Sequence, residues 1–179
     1  SSWSRNWDTT QVSAGSGDDI ITLSGTVELN TNGGDYSWVY GNAYGYIYGG
    51  DGNDTLDASN TTSVIELNGG NGDDIIYGAQ ESTRTILGGA GDDIIQSSKG
   101  QIASDQETSI DGGDGNDTIT SSTALGVDNN VIYGGSGNDI INAGDGHYKI
   151  YGDQNYNNNS WRWEYYGKAE YQKGGNDTI

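Results

Sequence analysis

A nine-residue phrase rich in glycine and aspartate recurs along the chain. Numbered from its first glycine, the phrase has glycine at positions 1, 2 and 4, aspartate at position 6 and an aliphatic residue at position 8. Nearly perfect copies lie at residues 49–57, 69–77, 88–96, 112–120 and 134–142. Residues 14–22 and 143–151 hold more divergent copies, and GGNDTI at 174–179 resembles a shortened one. Such frequent repetition predicts an architecture in which each copy stacks on the next.

Each copy predicts a turn followed by a very short strand. The glycines let the backbone enter left-handed conformations, and the aliphatic residue at position 8 stands between residues that point the other way. The position-8 series is Ile21, Leu56, Ile76, Ile95, Ile119 and Ile141. A second aliphatic series lies just before the turns and consists of Val12, Ile47, Leu67, Ile86, Ile110 and Ile132. Two such series predict two facing sheets.

The spacing of the turns predicts the size of one coil. Successive good copies begin 19 to 24 residues apart, which is enough for two short strands and two turns. We therefore expect an all-β fold, a parallel β-roll or β-helix solenoid of about eight coils, with glycine turns on one edge and irregular loops on the other. The longer interval between the turns at 14 and 49 predicts one additional coil, with strands near Val27 and Val39 and NTNGGD (30–35) as a substitute turn.

The whole chain is expected to form a single domain. Residues 11–151 carry the repeat coils. Residues 1–10, with Trp3 and Trp7, are expected to cap one end of the solenoid, because solenoid ends expose apolar edges. Residues 152–179, an aromatic segment with the shortened repeat, are expected to cap the other end.

Composition limits both the core and the partners. Only 31% of the residues are hydrophobic, Phe, Met, Pro and Cys are absent, and 26 acidic against 7 basic residues give a net charge of −19. An ordinary globular core and a disulfide framework are therefore not expected. The charge would repel nucleic acid and anionic membranes and favours a cation as partner. Such a composition alone is also typical of disordered chains, but the regular phrase argues against disorder.

The aspartates at position 6 form the candidate metal ligands. In a parallel stack each would lie about 4.8 Å from its counterpart in the next turn, and such a column would repel itself. A hard cation between turns would turn the repulsion into ligation, with main-chain carbonyls completing an all-oxygen shell of the kind calcium prefers. Magnesium suits a carbonyl-rich cage less well, and transition metals prefer His or Cys, of which the chain has one and none.

The copies GGDGNDTLD, GGNGDDIIY and GGSGNDIIN resemble the GGxGxDxUx nonapeptides of the RTX (repeats-in-toxin) family. The resemblance covers about residues 11–151. It implies a right-handed parallel β-roll, export by a type I secretion system and folding outside the cell when calcium is met. It also implies that each ion is held by the carbonyls of positions 2 and 4 and the aspartate of one turn, and by the carbonyls of positions 1 and 3 and the aspartate of the next.

Carried onto this chain, the pattern predicts calcium as the cofactor, with at least four ions in one row. The predicted metal-site residues are Asp19, Gly50, Gly52, Asp54, Gly69, Gly70, Asn71, Gly72, Asp74, Gly88, Gly89, Ala90, Gly91, Asp93, Gly112, Gly113, Asp114, Gly115, Asp117, Gly134, Ser136 and Asp139.

This chain departs from the family pattern in several places. Its irregular second edge makes a second row of ions doubtful, and Tyr148 replaces the aspartate of the copy at 143–151, which predicts a weak site or none there. The additional acids at position 5, Asp18, Asp73 and Asp92, are interpreted as solvated charges rather than ligands.

No enzyme is predicted. The single histidine, His147, lies in a divergent copy without a recognisable nucleophile motif, and the repeated carboxylates are explained by metal binding. We expect a non-enzymatic, extracellular or cell-surface calcium-binding structural module of a larger secreted RTX protein, such as an adhesin, surface-layer protein or toxin. The module is expected to be monomeric within a longer chain, without membrane insertion or nucleic-acid binding.

Three alternatives remain open. Aromatic segments such as WRWEYY (161–166) predict a glycan-binding or protein-binding surface, which the loss of glycan binding on replacing Trp38, Trp161 and Trp163 would support. The chain is also compatible with an accessory module of a polysaccharide-acting enzyme. Ice binding is disfavoured because positions 3 and 5 form no regular row of threonine or asparagine.

Overall fold

The computed structural model describes residues 10–24, 36–39, 45–61, 63–80, 82–97, 109–121, 130–143 and 148–153. Several predictions lie outside these residues. They are the two terminal caps, the strand near Val27, the NTNGGD turn and the setting of His147.

The described residues form fourteen short strands and no helix. The strands are β1 Thr10–Ser16, β2 Ile20–Ser24, β3 Tyr36–Val39, β4 Gly45–Asp51, β5 Thr55–Asn60, β6 Ser63–Asn71, β7 Ile75–Tyr77, β8 Ser82–Ala90, β9 Ile94–Gln96, β10 Ser109–Asp114, β11 Thr118–Ser121, β12 Asn130–Ser136, β13 Ile140–Ala143 and β14 Tyr148–Asp153.

The strands form two parallel sheets, and the chain alternates between them. The first sheet has the order β1-β4-β6-β8-β10-β12-β14, and the second has the order β13-β11-β9-β7-β5-β2-β3. Each glycine turn carries the chain from the first sheet to the second, for example from β4 to β5, and the remaining segments carry it back. The predicted all-β parallel solenoid is therefore confirmed.

The core consists of the two predicted aliphatic series. In the first sheet Val12 pairs with Ile47 and Ile47 with Leu67. In the second sheet Leu56 pairs with Ile76 in the same way. All twelve predicted core residues are at most 7% exposed. Since most coils contribute only two large aliphatic side chains, the core is a thin double ladder.

The predicted coil count and the predicted additional coil between the turns at 14 and 49 need correction. Strand β1 pairs directly with β4, and β2 pairs directly with β5, so no extra coil lies between the turns at 14 and 49. A strand does include Val39, as predicted, but this strand, β3, lies at the outer edge of the second sheet beside β2. Direct stacking brings like turns and like core residues together, which an intervening irregular coil would prevent. The described residues therefore give seven rungs of the first sheet rather than eight coils.

Tyr148 begins β14 in the first sheet, where Ile150 pairs with Ile132. Strand β13 belongs to the second sheet and β14 to the first, so this step of the chain runs in the opposite direction to a glycine turn. Tyr148 is 7% exposed, and its hydroxyl accepts a hydrogen bond of 3.2 Å from Ser121 Oγ. The aromatic ring at this position thus extends the core.

The outer face of the second sheet carries Ile20, Ile94 and Ile140, each 45 to 49% exposed. They occupy position 7 of their copies, one residue before the buried series. In the described part of the chain no helix is long and apolar enough to cross a membrane.

Adjacent isoleucines provide a direct test of this arrangement. We expect Ile95→Ala to destabilise the protein by about 2 to 5 kcal/mol, since it removes a buried side chain from the ladder. Ile94→Ala should cost about 1 kcal/mol or less, because its side chain is 49% exposed. Chemical denaturation in saturating calcium would measure both changes, and equal losses would contradict the assignment of the two faces.

Candidate metal centre

The glycines at positions 2 and 4 bring successive turns into close contact. Gly50 and Gly52 have φ values of 124° and 129°, which disfavour any residue with a Cβ. A Cβ added at Gly50 would also collide with the carbonyl oxygen of Gly15, and one at Gly52 with that of Gly17. The carbonyls of positions 2 and 4 therefore point towards the following turn.

The aspartates of position 6 lie inside the stack. Each is 1% exposed in five successive turns, namely at Asp54, Asp74, Asp93, Asp117 and Asp139. The Oδ1 atom of each accepts a hydrogen bond of 2.7 to 2.9 Å from the backbone N–H of the corresponding aspartate in the preceding turn. One carboxylate oxygen thus links every turn to the turn before it.

The other carboxylate oxygen has a different environment. The Oδ2 atoms of Asp54, Asp74, Asp93 and Asp117 are buried without a hydrogen-bond partner. Asp54 Oδ2 and the Gly69 carbonyl oxygen both lie within 3.0 Å of the point that a Cβ at Gly49 would occupy. Two acceptor oxygens therefore converge with no donor between them, an arrangement that is unfavourable unless a proton or a cation joins them.

The pKa values of these carboxyl groups are raised in this environment. Burial raises the pKa of Asp74 to about 6 and the pKa of Asp93 and of Asp117 to about 7. Burial also raises the pKa of Asp54. The backbone hydrogen bond to Oδ1 opposes the rise, and neighbouring carboxylates add to it. Desolvation of the charged form is the main cause in each case.

Six oxygens face the interval between the turns at 49–54 and 69–74. The carbonyls of Gly50 and Gly52 point from the turn at 49–54 towards the turn at 69–74, and the Gly69 carbonyl points back towards the turn at 49–54. The Asn71 carbonyl also points back towards the turn at 49–54. It accepts the Gly52 N–H at 2.8 Å and keeps one lone pair that could bind a cation. The carboxylates of Asp54 and Asp74 complete the set.

The same contacts recur at the next three intervals. The carbonyls of Gly70 and Gly72 face the turn at 88–93, and those of Gly89 and Gly91 face the turn at 112–117. The structure therefore brings the predicted site residues together interval by interval. Asp19 differs from the others, because it is only partly buried.

The donor set fits a hard cation. The described residues include no group of three or more His, Cys, Asp or Glu side chains that could hold a metal ion. A metal on this edge would therefore take most of its ligands from the main chain. Two carboxylates and four carbonyls form an all-oxygen set of the kind that calcium prefers, at six of the six to eight ligands it takes.

A second ladder was not predicted from the sequence. The residue at position 5 is Asp or Asn in every described turn, and its Oδ1 atom accepts the backbone N–H of position 5 in the following turn. The bonds measure 2.7 to 3.0 Å from Asp18 through Asn116. These side chains are exposed, as expected, but they also join the turns. The restriction to Asp and Asn was the available signal, since both offer the same acceptor.

The fold and this edge define a class of protein, a parallel β-solenoid whose stacked glycine turns present rows of oxygen ligands. Residues 46–60, 66–81, 85–101, 109–122 and 126–154, just over half of the chain, match the family model described as RTX calcium-binding nonapeptide repeat (4 copies). The chain belongs to this family, whose repeat is a non-catalytic structural unit that binds calcium. No curated protein and no solved structure matches the chain significantly.

The raised pKa values predict how the calcium-free protein responds to pH. A folded-state pKa above the unfolded value means that the folded state binds more protons between about pH 4 and 7, so stability falls as the pH rises through this range. In EDTA we expect a larger folded fraction at pH 5 than at pH 8, measured by far-UV circular dichroism.

Two matched variants separate this effect from general charge repulsion. Asp93→Asn should reduce the difference between pH 5 and pH 8, because it removes a buried titrating group. Asp92→Asn removes one exposed charge and retains the Oδ1 acceptor used by Asn116. An equal reduction in both variants would contradict a role for burial.

Proposed function

We propose that the chain is a non-enzymatic calcium-binding module that folds around a row of calcium ions, one between each pair of successive intact turns. The observation that carries this proposal is the column of buried carboxylates whose Oδ2 atoms face carbonyl oxygens. A divalent cation bound at each interval would remove the repulsion between these acceptor oxygens.

Each ion would be held by two adjacent turns. Between the turns at 49–54 and 69–74, the ligands would be the Gly50, Gly52, Gly69 and Asn71 carbonyls and the carboxylates of Asp54 and Asp74. The equivalent residues of the three following intervals would hold three more ions. Calcium supplies positive charge at this edge, and the chain supplies the oxygens and their spacing.

Calcium binding would contribute much of the net stability. The aliphatic core is thin and the chain carries a net charge of −19, so folding without the ions is disfavoured. Each site adds RT ln(1 + [Ca]/Kd), about 1.4 kcal/mol at a tenfold excess over Kd, when only the folded state binds. Four sites contribute about 6 kcal/mol, which is comparable with the net stability of an ordinary domain.

This dependence supports an extracellular location. With site affinities of about 0.1 to 1 mM, as in other extracellular calcium modules, the chain would stay unfolded in a calcium-poor cytosol and fold outside. RTX repeat proteins are typically exported by type I secretion, and a chain that stays unfolded in the cytosol could be threaded through an exporter. We therefore assign the chain to a larger secreted RTX protein, in which it acts as a structural module.

A calcium titration after EDTA stripping tests the proposal. We expect far-UV circular dichroism to change from a largely unfolded spectrum to a β-spectrum in one cooperative step. Asp93→Asn should require several-fold more calcium for this step, because the Asp93 carboxylate faces the intervals on both sides of its turn, with Oδ1 at the preceding interval and Oδ2 at the following one. Asp92→Asn serves as the control, with little change expected.

Two results would count against the proposal. A complete β-spectrum and an unchanged melting temperature in EDTA would show that the aliphatic ladders suffice without ions. Fewer than three ions per chain in saturating calcium would contradict the stacked-turn arrangement.

A further inference from the structure

Position 1 differs in the first turn. The turns from 49 onwards have glycine there, namely Gly49, Gly69, Gly88, Gly112 and Gly134, whereas the turn at 14–19 has Ala14. The five glycines are not among the residues with positive φ. Backbone conformation therefore does not require glycine at position 1, and the reason must be space.

The contacts at position 1 show what the space contains. A Cβ added at Gly49 would meet Asp54 Oδ2 and the Gly69 carbonyl oxygen, each inside 3.0 Å. Gly69, Gly88 and Gly112 have the equivalent pair of oxygens at the same place. These two oxygens are ligands in the proposed function, so the missing Cβ leaves the space in which they converge on an ion.

Ala14 places a real methyl group in the equivalent space. Asp19, the position-6 aspartate of this turn, is only partly buried, whereas its five counterparts are 1% exposed. The first turn lies at the end of the described stack, because β1 is the edge strand of the first sheet, so no described turn covers Asp19 on its outer side.

The rest of the first turn has the ordinary geometry. Gly15 and Gly17 have φ values of 113° and 109°, and the Gly17 N–H donates to the Asp51 carbonyl at 2.7 Å. The Asp19 N–H donates to Asp54 Oδ1 at 2.8 Å, as in the other turns. The turn thus stacks in the usual way on the turn at 49–54, and on the side that faces this neighbour the methyl group at position 1 is the difference.

We propose that the Ala14 methyl group closes the calcium site between the turns at 14–19 and 49–54, so that this coil joins the roll through hydrogen bonds and its aliphatic ladder alone. This inference rests on the proposed function. It places the start of the calcium row at the interval between the turns at 49–54 and 69–74.

Ion counting on the full chain tests the inference. Native mass spectrometry in saturating calcium should find one more ion in Ala14→Gly than in the unmodified chain. The double variant Ala14→Gly/Asp19→Asn should return to the original number, because the new site needs the Asp19 carboxylate. The reciprocal variant Gly49→Ala, which places a methyl group in the next site, should lose one ion.

The stability of the folded state gives an independent readout whose sign depends on calcium. In EDTA at pH 5, Ala14→Gly should lower the folded fraction or leave it unchanged, since glycine increases the freedom of the unfolded chain. In saturating calcium the same variant should raise the melting temperature through the added site. A structural effect of glycine alone would act in one direction under both conditions.

The outcomes separate this inference from the proposed function. If the unmodified chain binds calcium and Ala14→Gly binds no additional ion, the inference is wrong and the proposed function stands. If the unmodified chain binds no calcium at all, both are wrong. Ala14→Gly decides the matter even if Gly49→Ala fails to fold, which circular dichroism in excess calcium would reveal.

Discussion

The close approach of consecutive glycine turns determines the rest of the structure. Because positions 2 and 4 have no side chain, each turn lies against the next with its carbonyl oxygens directed into the interval. The same approach buries the position-6 aspartates of the five turns from 49 onwards. A carboxylate enclosed in this way must be protonated or bound to a cation, and its environment raises its pKa accordingly.

Two side-chain ladders with opposite directions reinforce this contact. The buried aspartates of position 6 accept hydrogen bonds from the preceding turn, as Asp74 does from Asp54. The exposed residues of position 5 accept them from the following turn, as Asn53 does from Asp73. Each turn is thereby held on both sides by side chain to backbone bonds, in addition to the strand ladders. A cation would stabilise the same turn geometry that these bonds favour.

The metal edge and the aliphatic core have complementary roles. The isoleucine and leucine ladders set the register of the two sheets, since a shift of one residue would expose the buried series. The register in turn aligns position 6 with position 6, and so creates the carboxylate column. The core is small for a chain of 179 residues with a net charge of −19. Such a chain gains from a partner that neutralises its acids.

The sequence by itself determined the repeat, the two buried series, the parallel solenoid and the oxygen-rich edge, because each depends on a local pattern repeated in every copy. Only the tertiary structure decided where β3 lies, which turn each carboxylate oxygen faces and what the position-5 side chains do. These features depend on contacts between residues 16 to 35 positions apart, and no local pattern specifies the partner in such a contact. The difference at Ala14 has the same cause, since alanine is acceptable to the backbone there and matters only for the oxygens that meet at position 1.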